Sequence, residues 1–182
     1  KTITKVIETL ISSKTRIKLL MKFFINSNAT AYLRSLESEF GESTNSIRIE
    51  LNKLENAGFL HSFLEGNKKY FKANIAHPLF RDIHNILLKH IGVDQIIENI
   101  IVRLGNVEHV LLDGDFSKGK DSEIVDLVLV GDIDTSYLME LSAKVEKVIN
   151  RKLRHLILSS IEFQLMHLNN KDQDLLLLWS AE

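Results

Sequence analysis

No cysteine occurs in the 182 residues, which excludes disulfides, thiol nucleophiles and thiolate zinc sites together and fits a reducing compartment. No apolar run approaches the roughly 20 residues needed to span a bilayer. No charged, apolar and small-residue leader opens the chain at Lys1, so the expectation is a soluble, cytoplasmic protein with no membrane partner. Internal repeats and low-complexity stretches are missing, as are a nucleophile elbow, a phosphate-binding Walker loop and an HExxH pair. The seven histidines show no paired helical ligand spacing, so no metal site and no cofactor is expected. What is present is ordinary folding material, 45% hydrophobic and 26% charged, enough for one large or two small domains.

The net charge of -1 conceals an asymmetry. Residues 1–75 hold 12 Lys and Arg against 7 Asp and Glu; residues 76–182 hold 11 against 17. The single proline, Pro78, lies near the crossover, and a domain boundary is placed there, giving domains 1–77 and 78–182. A basic half beside an acidic one suggests a polyanion-binding module joined to something that is not one.

In the first half, Ile17, Leu20, Met21 and Phe24 recur at helical spacing until Asn26-Ser27-Asn28. A further helix is expected from about Thr30 to Phe40, ended by Gly41. The next takes Ser43 as N-cap, turns Ile47, Leu51 and Leu54 inward, and closes at Gly58. Leu60 to Leu64 and Lys68 to Ala73 read as strands joined by the turn residues Glu65-Gly66-Asn67. Helices with a tight turn followed by a hairpin describe a helix-turn-helix with a wing.

On the helix that begins after Ser43, the positions left outward are Thr44, Asn45, Ser46, Arg48, Asn52 and Lys53. Arginine pairs two ways with guanine, asparagine does so with adenine, and Ser, Thr and Lys hold phosphates. The hairpin tip adds Asn67, Lys68 and Lys69 for the flanking backbone. Together with Ser43 these are the candidate DNA-binding residues, although Glu50 and Glu55 oppose that charge. From Ser13 to Ala73, through RIKLL, SIRIELNKLENAGFL and EGNKKYFKA, the chain resembles the winged-helix repressors of the ArsR type. The resemblance implies a dimeric transcription regulator on double-stranded DNA. The metal-sensing cysteine and histidine clusters of many such proteins are absent.

The second half alternates. Helices are expected over Leu79–Leu87 and Val93–Leu104, then strands at Val107–Leu112, Ile124–Val130 and Leu153–Leu158, with helices at Tyr137–Val148 and Ile161–Leu168. A last apolar run, 174–179, is taken as a strand. The class is α+β: a winged helix followed by a small α/β layer domain. The segment LLDGDFSKGKDSEIVDLVLVGDID, Leu111 to Asp134, resembles the signature of minimal nucleotidyltransferases, whose Gly-Ser loop cradles nucleotide phosphates and whose aspartates hold magnesium. By that resemblance Gly114, Lys118, Gly119 and Asp126 match motif positions. Asp115 replaces the phosphate-binding Ser, and Ile124 the first metal Asp.

The site 114, 115, 118, 119 and 126 is therefore read as vestigial, with no catalytic residues, and the chain as no enzyme. The expected function is a sequence-specific DNA-binding regulator, with helix 43–57 in the major groove and wing 60–73 on the backbone. The acidic domain serves dimerisation or sensing, and the helices from Leu79 to Leu104 are offered as the homodimer seam. Two alternatives stand beside it: a magnesium-dependent nucleotidyltransferase tethered to DNA, and a protein-protein interaction module.

Overall fold

The computed structural model describes residues 4–104, 106–169 and 175–181. The chain is a mixed α+β protein with two sheets, and it divides into two compact units, Thr4–Leu87 and the residues from Leu88 on. The division falls inside helix α5 (Phe80–Ile91).

The N-terminal unit opens with α1 (Thr4–Leu10) and α2 (Lys14–Leu20), the latter capped by Ser13 and continuing as a π-type turn, Met21–Ile25. Strand β1 (Thr30–Tyr32), α3 (Leu33–Phe40), α4 (Thr44–Asn56), β2 (Leu60–Glu65) and β3 (Lys68–Ala73) follow. The helix expected from Thr30 starts at Leu33 instead. Residues 30–32 form a strand because they pair antiparallel with β3, Ala31 opposite Phe71 and Tyr32 opposite Tyr70. The turn into α3 is then fixed by Ser35, whose hydroxyl accepts from the Tyr32 N–H at 3.2 Å and donates to the Tyr32 carbonyl at 2.7 Å. The sheet order is β1-β3-β2, all antiparallel. Gly41 ends α3 and Ser43 caps α4, its hydroxyl accepting from Ser46 N–H. Leu19, Leu36, Ile47 and Leu51 are fully buried where α2, α3 and α4 meet. The inward face expected of α4 is thus the one it buries.

In the C-terminal unit, Val93–Ile96 (α6), a π-type turn Ile97–Ile101 and Val102–Leu104 (α7) form one run. Then come β4 (Val107–Asp113), α8 (Gly114–Ser117), β5 (Ile124–Gly131), α9 (Thr135–Ile149), β6 (Lys152–Leu158), α10 (Ser160–Asn169) and β7 (Leu176–Ser180). The sheet order is β6-β5-β4-β7, with β5 and β6 parallel and the other pairs antiparallel. The apolar run expected to be buried is β5, a central strand whose residues Leu127 to Val130 are all buried. The last run is a strand as expected, although Asp174, its first residue, lies outside the described residues. Among the described residues, no helix is long and apolar enough to cross a membrane.

Candidate functional site

The N-terminal unit forms a groove of about 590 Å³ between the start of α3, the outer face of α4 and the hairpin. Its lining includes Tyr32, Arg34, Arg48, Asn52, Asn67, Lys68 and Lys69. Five residues named from the sequence, Arg48, Asn52, Asn67, Lys68 and Lys69, are thereby gathered from two elements onto one surface. Arg34 and Tyr32 were missed. Their signal lay in β1 and α3, where Leu36 turns inward and leaves Arg34 exposed. The Lys68 ammonium sits 4.4 Å from the centre of the Tyr32 ring, a cation-π contact between the hairpin tip and the end of β1.

Most of the other named residues, and Lys69 as well, have tasks within the chain. The Ser43 and Ser46 hydroxyls lie 2.8 Å apart at the α4 cap, and Thr44 donates to the Glu37 carboxylate at 3.2 Å. Asn45 is exposed on the first turn. Lys53 pairs with Glu50 at 3.3 Å, and Lys69 with Glu55 at 2.8 Å. The two glutamates that oppose a polyanion in the sequence therefore brace the fold: Glu50 is buried and bonded to Arg16 of α2 at 2.7 Å, while Glu55 joins α4 to Ser62 and Lys69 of the hairpin.

Burial raises the pKa of Glu50, but the hydrogen bonds and charges of Arg16 and Lys53 outweigh it and leave the group below the ordinary glutamate range. Burial is likewise outweighed at Glu42, by Lys18 and Thr15. Glu55 is lowered by its bonds to Lys69 and Ser62. Each carboxylate binds a proton less readily folded than unfolded. Their stabilisation is therefore complete above the unfolded value of about 4.3 and is lost as pH falls through the lower folded values. Thermal melts should show this unit weakening on acidification through that range, with a shallower slope for Glu50→Gln. A melting temperature that stays flat there would count against the braces.

The C-terminal unit offers a smaller cavity of about 290 Å³, lined by Asp113, Gly114, Asp126, Leu127, Arg154, His155 and Leu156. Gly114 starts α8 at φ 67°, and a Cβ there would stand 2.3 Å from Asp126 Oδ2, so the turn needs glycine for both conformation and space. Asp113, at the end of β4, pairs directly across from Asp126 on β5, and Arg154 of β6 pairs with Asp126 from the other side. Paired residues share a sheet face, so the three side chains converge, and Arg154 Nε donates to Asp126 Oδ1. That hydrogen bond, and then the charge of Asp126, holds the Arg154 guanidinium pKa above its ordinary value, with Asp113 and Asp115 adding to it.

Of the residues carried over from the nucleotidyltransferase signature, Gly114 and Asp126 line this cavity. Asp115 and Lys118 are exposed, and Gly119 is buried in the following turn. That loop is anchored by Arg151, buried after α9, which binds Asp121 at 2.9 Å and the Ser122 carbonyl, with its guanidinium 5.0 Å from the centre of the Phe116 ring. Among the described residues no group of three or more His, Asp or Glu side chains is placed to hold a metal ion.

No family model matches the chain, and no curated protein does. A solved structure titled a "putative nucleotidyltransferase" from Sulfolobus solfataricus is similar over 52% of this chain and 80% of its own, at 19% identity and a TM-score of 0.35. This finding corrects the expectation that the chain is no enzyme. The missing motif residues do not support that exclusion, and it is withdrawn. A likeness of this depth assigns neither fold nor activity.

Proposed function

We propose that the N-terminal unit is a winged helix-turn-helix that binds duplex DNA, α4 entering the major groove and the β2-β3 hairpin lying on the backbone, in a sequence-specific transcription regulator. The observation that carries this reading is the groove, where Arg34, Arg48, Asn52, Asn67, Lys68 and Lys69 meet on one face. Arg48 and Asn52 are exposed one turn apart on α4, the spacing at which two side chains reach neighbouring base edges. Lys68 and Lys69 stand at the end of a two-residue turn, with Glu65 opposite Lys68. As a homodimer the protein addresses two half-sites with two such grooves.

Fluorescence anisotropy with duplexes of varied sequence across a salt series tests it. Arg48→Ala and Asn52→Ala should each lose about 1–3 kcal/mol on the preferred duplex. Lys68→Ala should weaken all duplexes alike and lower the salt slope by about 1. Absence of binding at low salt would sink the reading.

A second reading, nucleotidyl transfer by the C-terminal unit, is favoured by one observation, the pair Asp113 and Asp126 beside the Gly114 turn. Incorporation of label from a nucleoside triphosphate in the presence of magnesium, lost in Asp126→Ala, tests it. Label incorporation unchanged by that substitution, or none at all, would remove it.

A further inference from the structure

The sheet of the N-terminal unit has an inner and an outer face. Ala31, Leu60, Phe71 and Ala73 alternate onto the inner one and are buried. The outer face carries a row of three rings, because Phe63 of β2 pairs with Tyr70 of β3, and Tyr70 with Tyr32 of β1. Phe63 and Tyr70 lie nearly parallel, 16° apart in plane with centroids separated by 5.8 Å, and Tyr32 meets Tyr70 edge-on at 5.3 Å. Ring pairs across strands stabilise a sheet, and that accounts for Tyr32 and Tyr70, which are half-buried. It does not account for Phe63. β2 is an edge strand, so the stack ends there, and the Phe63 ring is 40% exposed.

The charge around the rings is positive. Lys68 and Lys72 stand two residues to either side of Tyr70 on β3 and so share its face, about 13 Å apart along the strand at roughly 3.3 Å per residue. The Lys68 ammonium lies over the Tyr32 ring. Across from the two lysines on β2, His61 pairs with Lys72 and Glu65 with Lys68, so one carboxylate stands against two ammonium groups.

We infer that this face is a platform for single-stranded nucleic acid, an unpaired base stacking on the open side of Phe63 while the neighbouring phosphates meet Lys68 and Lys72. Chemistry selects that occupant. An apolar protein surface laid on the rings would bury both ammonium groups without partners, which is costly, whereas a polyanion brings a phosphate to each. A duplex keeps its bases stacked on one another and offers no free base face; an unpaired strand does. Every base has a π-face, so little sequence preference is expected. Phe63, Tyr70 and Lys72 lie outside the lining of the groove, while Tyr32 and Lys68 belong to both surfaces, which therefore meet at the hairpin tip. The platform does not require duplex binding at the groove.

Fluorescence anisotropy of the full chain with labelled oligothymidylate and oligouridylate of about 12 nucleotides, at low salt and across a salt series, tests it. At least one should bind, and the tighter of the two identifies DNA or RNA as the source of the strand. Phe63→Ala should weaken that binding about tenfold or more, and Phe63→Leu, which keeps apolar bulk but no π-face, should weaken it equally. Lys72→Ala should lower the single-strand salt slope by about 0.7. No binding of either strand at low salt overturns the platform, whatever duplexes do. Unchanged affinity in Phe63→Ala, or full affinity in Phe63→Leu, also overturns it, since groove cations or plain packing would then account for the binding. Should the Phe63 variants fail to fold by far-UV dichroism, Lys72→Ala decides, and an unaltered slope overturns the platform. Single-strand binding without duplex binding would uphold the platform and sink the duplex reading; the reverse result does the opposite.

Discussion

Phe24→Ala should destabilise the N-terminal unit by about 3–5 kcal/mol, a large share of what a domain of this size holds. The ring is fully buried. It stacks on Phe80 with centroids 5.1 Å apart and meets Phe59 edge-on at 6.2 Å, contacts that add to the transfer of its area from water. Its neighbour Phe23, in the same π-type turn, is also fully buried. The Phe24 carbonyl meets the His84 ring nitrogen at 2.6 Å, so the backbone is held as well and the site has little freedom to collapse around a missing ring. Urea unfolding followed by far-UV dichroism measures the loss. A change under about 1 kcal/mol would show that the cavity closes or that the cluster does not support the unit. The consequence reaches the groove, since α4, which presents Arg48 and Asn52, packs on α2 just before this turn.

The elements were legible where their signal is local. Ile47, Leu51 and Leu54 announce the buried face of α4, and Ser43, Gly41 and Gly66-Asn67 announce its cap, the end of α3 and the hairpin turn. Strand β1 was not legible, because three residues carry no period and Thr30 to Tyr32 become a strand only through β3, some forty residues away. The same limit hid part of each site. Arg34 joins the groove from a helix that does not itself read as a DNA contact. Asp113 and Arg154 flank Asp126 only because two cross-strand registers align them, and residues 13 and 28 positions away in sequence carry no mark of that alignment. Glu50 is the reverse case. Its charge is legible, but its burial against Arg16 is a property of packing, so a residue that opposes DNA in the sequence is a strut in the fold.

The register that aligns Asp113 with Asp126 depends on a glycine at the other end of the same strand pair, and Gly131→Ala should cost the C-terminal unit about 3–5 kcal/mol. Gly131 pairs with Val107, where the β4-β5 register shifts between Val107 and His109. Its φ of 141° is one that side-chain-bearing residues rarely adopt, and a Cβ would stand 2.2 Å from the Asn106 carbonyl oxygen. That neighbour is backbone, so no rotamer change relieves the collision and β4 itself must move. At Gly114 the atom in the way is the end of the Asp126 side chain, which can rotate; there the larger effect falls on the Asp126–Arg154 pair than on folding. The single tryptophan, Trp179, sits on β7 opposite Val110 of β4, so its fluorescence reports the unfolding of the sheet that Gly131→Ala strains. Denaturant unfolding of Gly131→Ala read by Trp179 should shift to markedly lower midpoint. An unchanged midpoint would mean that β4 yields freely at Asn106, and the pairing of Asp113 with Asp126 would then owe nothing to this glycine.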